Sequence, residues 1–243
     1  MNAQLHKKLI LAIGLFFACC VSFCQTKKII YCFPGQGSDR RIFDSLTIDT
    51  SFTIKIIEYE TPGKNMSMKM FAKQLAEQID TTQEFLLLGV SLGGMICTEI
   101  AELLMPEKII LISSVKNRNE LPYRYQFQKK FPLYKLFPGS FLVAGAKTLQ
   151  PIVEPDRKKN KNTFKLMLAE KKPLYMKRTI HMLVNWDRAT NSKKIYHIHG
   201  NNDHTLPLKK IKSPDYIIDN GSHMMTLTRA REISEIINQI VKE

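Results

Sequence analysis

The sequence predicts an α/β fold: a mostly parallel sheet of about six strands with helices on both faces. Short Ile-rich runs, bounded by Gly, Pro or charged residues, alternate with segments whose apolar residues recur at helical spacing. With 243 residues and 44% apolar composition, the chain can bury one large core. We therefore expect one domain in which strands and helices alternate.

The alternation defines the elements in chain order. Strands are predicted at residues 27–33, 52–60, 84–90, 107–113, 193–200 and 215–221, and amphipathic helices at 66–79, 95–104 and 228–242. This order favours parallel strands buried on both faces. Cys32 and Cys97 fall in a strand and a helix, where we expect small buried apolar side chains. The cysteine spacing indicates no disulfide framework and no metal site.

Residues 1–24 have the pattern of a secretory signal peptide. A short positively charged region precedes an apolar run over 9–23, too short for a comfortable membrane span. We expect export to the periplasm or beyond, with a folded part spanning 25–243. Two alternatives stay open: an uncleaved membrane anchor, and a lipoprotein signal in which Cys24 carries the lipid.

The segment from 116 to 189, here called the cap segment, interrupts the alternation of strands and helices. It contains six prolines, several aromatic residues and expected helices, and is predicted to lie above the sheet. Residues 115–190 hold 17 Lys and Arg against 5 Asp and Glu, whereas the rest of 25–243 has 17 of each. This surplus is compatible with a solvated helical face, and also with attraction to an anionic membrane surface or an anionic substrate. Nucleic acid is not expected as a partner, because no groove-reading motif accompanies the lysines.

The stretch FLLLGVSLGGMICTEI, residues 85–100, places Ser91 between a buried strand and a helix. Gly89, Ser91 and Gly93 form a G-x-S-x-G motif, whose sharp turn holds a serine hydroxyl out at the carboxyl end of a strand. The following helix directs its N-terminal N–H groups at the same place, which favours developing negative charge. Ser91 is therefore the candidate nucleophile.

A serine nucleophile needs a base, and His223 is the best candidate. It follows the last predicted strand directly and precedes the final helix. His197 and His199 alternate within a strand, so one or both should face the core, and His204 stays a minor contender. His181 lies in the cap segment, where a packed or surface role is expected.

The acid that orients the base is predicted to be Asp203, which follows the strand and turn IYHIHGNN. Glu120 is the runner-up, since the strand before it also ends near the base. Asp187 lies in the cap segment, and Asp219 is expected to shape the turn before His223.

Two backbone N–H groups are the candidate oxyanion donors. One belongs to Leu92, directly after the nucleophile, and the other to Gln36 in the glycine-rich turn PGQGSD. Ser38 and Asp39 are interpreted as the N-cap of the next helix.

The sequence resembles the α/β-hydrolase superfamily, most closely small bacterial acyl-ester hydrolases with a cap. The resemblance lies in the chain order Ser91, Asp203, His223 and in the segments GVSLGG, HGNND, GSH and PGQGSD. The resemblance implies acyl transfer from a small-molecule acyl substrate to Ser91 and then to water, with no metal and no organic cofactor. Relatives typically have eight strands, whereas six are predicted here. They also often carry a His-Gly pair before the oxyanion residue, and this chain has Phe33, Pro34 and Gly35 in that stretch.

The bond that is cut stays open between a carboxylic ester, a thioester or lipid ester, and a peptide bond. A binding protein that kept the fold and uses the basic cap segment is a further alternative, although it would not need all three of Ser91, Asp203 and His223. An acyl pocket is expected from apolar residues of the cap segment: Leu133, Phe137, Phe141, Leu142, Met167, Leu168 and Trp186.

Overall fold

Six parallel strands form one sheet in the computed structural model, which describes residues 27–243. The strands are β1 Lys28–Phe33, β2 Phe52–Ile56, β3 Phe85–Val90, β4 Lys108–Ile112, β5 Tyr196–Gly200 and β6 Tyr216–Ile218. Their order is β2-β1-β3-β4-β5-β6, and every neighbouring pair is parallel. The predicted signal peptide and Cys24 lie outside the described residues, so export stays a prediction from the sequence.

Helices cover the sheet and build the cap segment. They are α1 Met68–Ala76, α2 Leu92–Ile100, α3 Tyr123–Lys130, α4 Gly139–Val153, α5 Lys161–Ala169, α6 Pro173–Asn185, α7 Met225–Thr228 and α8 Ala230–Lys242. The cap segment contains α3 to α6. Within residues 27–243, none of the helices has the length and apolarity that crossing a bilayer requires.

The central strands β1, β3 and β4 are apolar after Lys28 and Lys108, because both faces of the sheet are buried there, whereas the edge strand β2 is mostly exposed. In β1, Tyr31 and Phe33 point to the face covered by α1 and α2, whereas Ile30 and Cys32 point to the face covered by α8. Cys32 and Cys97 are free, buried and on opposite faces. The predicted mostly parallel, two-sided sheet is confirmed.

Three strands are shorter than the sequence predicted by three or more residues, because a strand needs a pairing partner. The edge strand β2 ends at Ile56, since its neighbour β1 ends at Phe33 and the last bond runs from Ile57 N–H to Cys32 O. Strand β6 pairs with only three residues of β5. Pairing of β5 begins at Tyr196, so residues 193–195 precede the sheet.

Burial of α8 is expected to contribute strongly to stability. Ile237 is fully buried against the sheet, so Ile237→Ala should lower the free energy of unfolding by about 2–5 kcal/mol. The matched control Ile152→Ala removes the same atoms from a side chain that is 64% exposed, and should change it by about 0.5 kcal/mol or less. Urea unfolding followed by circular dichroism measures both. Equal losses for the two variants would contradict the packing described.

Candidate active site

Ser91 occupies a strained turn between β3 and α2. Its φ of 54° and ψ of −118° lie where residues other than glycine rarely occur. Backbone bonds hold the turn: Ser91 N–H donates to Ile112 O at 3.0 Å, and Ser91 O accepts the Ser114 hydroxyl at 2.7 Å. The strain therefore places the Ser91 hydroxyl beyond the carboxyl end of β3.

Two glycines of the motif are required by close backbone approach. A Cβ at Gly89 would lie 2.5 Å from backbone atoms of Gly93 and Gly94, and a Cβ at Gly93 would overlap the carbonyl oxygen of Phe33. A larger residue at either position would push β3, α2 and β1 apart. The motif is thus a packing requirement of the turn.

The three predicted side chains meet at one edge of the sheet. The Ser91 hydroxyl donates to Nε2 of His223 at 2.9 Å, and Nδ1 of His223 donates to Oδ2 of Asp203 at 2.7 Å. The Asp203 contact keeps the imidazole proton on Nδ1, so Nε2 is free to accept. The arrangement can remove a proton from an alcohol.

Contacts between two loops fix this acid–base pair. Asp203 Oδ1 accepts the backbone N–H groups of Thr205 and Leu206 at 2.8 and 2.7 Å. A Cβ at Gly200 would overlap Gly221 O, and Asn202 N–H donates to that same oxygen at 3.1 Å. The loop after β5 is therefore packed directly on the loop that carries His223.

Burial and charge act against each other on the pKa values of this pair. Burial would lower the pKa of His223, but the charge and hydrogen bond of Asp203 raise it above its ordinary value, with a smaller contribution from Glu154. Burial would raise the pKa of Asp203, but the charge and hydrogen bond of His223 lower it. Asp203 thus stays ionised and favours the charged imidazole.

The other acids weighed from the sequence have different contacts. Glu120 is fully buried and accepts the backbone N–H groups of Lys116 and Lys212, so it holds loops together. Asp187 is exposed. Asp219 accepts the side-chain amide of Asn201 at 2.9 Å, in keeping with its expected role in the turn before His223.

The other histidines within residues 27–243 do not contact Ser91. His197 and His199 are both fully buried in β5, with Nε2 of each facing a backbone carbonyl oxygen, Ser114 O and Leu206 O. His204 is exposed, and His181 contacts the hydroxyl of Tyr134 in the cap segment.

Two backbone N–H groups near Ser91 are available as oxyanion donors. Among the described residues, neither the Leu92 nor the Gln36 N–H has a protein acceptor. Gly35 brings the Gln36 loop against Ser91, since a Cβ at Gly35 would lie 3.3 Å from the Ser91 Cβ. The Gln36 side chain points elsewhere and donates to the Thr179 hydroxyl on α6 at 2.7 Å. Asp39, as predicted, caps a helical turn, with Oδ1 accepting Arg41 N–H at 3.0 Å.

A mainly apolar cavity of about 360 Å³ opens beside Ser91 and His223, under the cap segment. Of the expected lining residues, Leu142, Met167 and Leu168 do line it. The others were wrong. Leu133, Phe137 and Phe141 are exposed, and Trp186 is buried elsewhere, donating its indole N–H to Glu99 at 2.7 Å.

Sequence reasoning missed two charged residues of the cavity. Glu154, only 4% exposed, accepts the Met224 N–H at 3.2 Å, next to His223, and burial raises its pKa to about 7. Lys171 donates to Gly37 O at 2.8 Å, and burial lowers its pKa to about 8. No local motif marks either residue, since the cap segment alone places them there.

No protein-family model matches the sequence, and no curated protein does. Solved structures match at the level of fold. A hydrolase from Pseudomonas aeruginosa PA01 has a TM-score of 0.68 at 14% identity, over 89% of this chain and 91% of that one. The enol-lactonase from Burkholderia xenovorans LB400 has a TM-score of 0.67 at 12% identity, over 89% and 92%. A thermophilic esterase from Thermogutta terrifontis has a TM-score of 0.66 at 14% identity, over 89% of this chain and 90% of that one.

The contacts of His223 predict the direction in which its pKa is shifted. Its pKa, measured from the imidazole resonances by NMR, should lie above the ordinary value of about 6.5. Asp203→Asn should lower that pKa, because it removes the carboxylate that favours the imidazolium. Glu154→Gln should lower it by less, since Glu154 contributes the smaller part. A wild-type pKa at or below 6.5, or no change in Asp203→Asn, would contradict these electrostatics.

Proposed function

The chain has the α/β-hydrolase fold, and on that premise we propose that it is a serine hydrolase that cleaves a carboxylic ester through an acyl-enzyme on Ser91. The observation that carries the proposal is the 2.9 Å contact between the Ser91 hydroxyl and Nε2 of His223, with Asp203 on the far side of the ring. Such a chain of contacts makes a weak nucleophile reactive.

In the first step, the Ser91 oxygen attacks the ester carbonyl carbon while Nε2 of His223 takes the hydroxyl proton. Asp203 stabilises the imidazolium that forms. The carbonyl oxygen becomes negative and accepts the N–H groups of Leu92 and Gln36. Each donor of this kind typically contributes about 3 kcal/mol to the transition state.

Collapse of this intermediate gives the acyl-enzyme. His223 returns the proton to the leaving alcohol. It then removes a proton from the water that attacks the acyl carbon, and gives that proton to the Ser91 oxygen as the Ser91–acyl bond breaks and the carboxylic acid leaves. Because only neutral His223 accepts a proton, activity should be lost as pH falls through its raised pKa. The chemistry needs no metal and no organic cofactor.

The cavity favours an apolar acyl group. Leu142, Met167 and Leu168 line it beside Ser91, which suits the hydrocarbon part of an ester, a thioester or a lipid ester.

A fluorophosphonate probe tests the nucleophile. The folded protein should be labelled on Ser91, and Ser91→Ala should lose both labelling and ester turnover, with kcat reduced by about 10⁶-fold. Ser38→Ala is the matched control: Ser38 lines the same cavity, but its hydroxyl donates to Gly35 O, so this variant should still be labelled.

An unlabelled wild-type protein with native circular dichroism would contradict the proposal and favour a binding protein that keeps the fold. Comparison of p-nitrophenyl esters with peptide amides then separates an esterase from a peptidase. We expect turnover of the esters alone.

The cavity predicts the chain-length preference. Leu142→Trp should fill part of it and lower kcat/KM for a p-nitrophenyl octanoate at least about tenfold relative to the acetate. Leu133→Trp introduces the same side chain at a position that is 44% exposed, and should leave the ratio unchanged. An equal effect of both variants, or no effect of either, would place the acyl group elsewhere.

A further inference from the structure

Helix α4 is apolar on two faces. Leu142, Ala146 and Val153 line the cavity from its inner side. On the outer side, Phe141 and Ile152 are 56% and 64% exposed. Only one of these two faces is covered by the described protein.

The outer face of α4 forms a stripe along successive turns. Phe141, Gly145, Leu149 and Ile152 are spaced by four, four and three residues, which places them on one side of a helix. Leu149 lies at the border of the two faces: it is 53% exposed and also lines the cavity. A Cβ built at Gly145 meets nothing within 4 Å, so the stripe is open at Phe141, Gly145 and Ile152.

Further exposed aromatic side chains precede α4 in the chain. Phe137 stacks on Phe141, with ring centroids 4.7 Å apart and planes 14° apart. Upstream, Phe127 and Phe131 form a second ring pair at 5.3 Å, and both are exposed. We call residues 127–152 with these side chains the outer cap surface.

The charge around the outer cap surface has one sign. Residues 121–153 contain five Lys and Arg and no Asp or Glu. Lys129, Lys130 and Lys135 are exposed, and the Lys130 ammonium lies 5.5 Å from the Phe131 ring centroid. Any partner of this surface must accommodate both the apolar stripe and uncompensated positive charge.

We propose that the outer cap surface docks on an anionic lipid bilayer, with Phe141 and Ile152 entering the interface and the lysines facing the headgroups. Exposed apolar side chains flanked by lysines are what an interfacial helix uses to bind anionic lipid. A second copy of this chain would bring the same positive charge to the contact and be repelled. Docking would place α4 between the lipid and the cavity that Leu142 and Ala146 line.

Sedimentation with vesicles tests the docking. The purified protein should bind vesicles of phosphatidylcholine with phosphatidylglycerol at low salt, and bind phosphatidylcholine alone at least tenfold more weakly. Binding should fall as salt is raised, because the lysine contribution is screened. Binding needs no turnover, so Ser91→Ala should bind like the wild type even if the proposed hydrolase activity proves wrong.

Paired variants separate the two components of the surface. The double variant Phe141→Ser with Ile152→Ser should bind at least about tenfold more weakly, since two apolar side chains no longer leave water. The triple variant Lys129→Gln, Lys130→Gln and Lys135→Gln should lose on the order of a hundredfold at low salt.

Matched controls lie outside the cap segment. Met70→Ser removes a side chain that is 61% exposed on α1, and Lys64→Gln with Lys69→Gln and Lys73→Gln removes the same charge as the triple variant. Both should bind like the wild type. Every variant keeps the same N-terminal segment, so binding through that segment would not separate variants from controls.

Several results would overturn the proposal. These are no binding to anionic vesicles, equal binding to both lipids, or equal behaviour of the variants and their controls. Self-association that is lost in the Phe141→Ser, Ile152→Ser variant, without vesicle binding, would assign the surface to a second copy instead.

Discussion

The backbone conformation of Ser91 is the constraint on which the site depends. A non-glycine residue at φ 54° costs on the order of 1–3 kcal/mol, and persists only where its surroundings fix it. Here Gly89 and Gly93 allow β3, α2 and β1 to approach within backbone contact, while bonds to Ile112 and Ser114 hold the turn. Relaxation of this one residue would turn the hydroxyl away from the imidazole.

The parallel strands bring Asp203 and His223 to the same edge of the sheet as Ser91, since β3, β5 and β6 all end there. The cap segment then makes that edge a buried compartment. Glu154 accepts the Met224 N–H and the Ser222 hydroxyl donates to Asp156, so the cap is tied to the loop that carries His223. In the low dielectric of this compartment, the Asp203 charge acts strongly on the imidazole, and the proposed oxyanion donors would gain strength for the same reason.

The sequence predicted those parts of the fold and of the candidate site that have a regular local pattern of apolar residues. The sheet was predictable because its central parallel strands are runs of apolar residues. Ser91, Asp203 and His223 were predictable because each lies within three residues of the end of a predicted strand. The cap segment lacks that regularity. An apolar residue there can face the cavity, as Leu142 does, or solvent, as Phe141 does one position earlier, and Glu154 looks like any surface acid until the fold buries it.

A crystal structure of the protein treated with an alkyl phosphonate ester would show whether Ser91, the imidazole and two backbone donors act on one acyl group. We expect phosphorus bonded to the Ser91 oxygen, a phosphonyl oxygen accepting the N–H groups of Leu92 and Gln36, and the alkyl chain in the cavity beside Leu142. An adduct on another residue, or a phosphonyl oxygen that contacts neither N–H group, would contradict it.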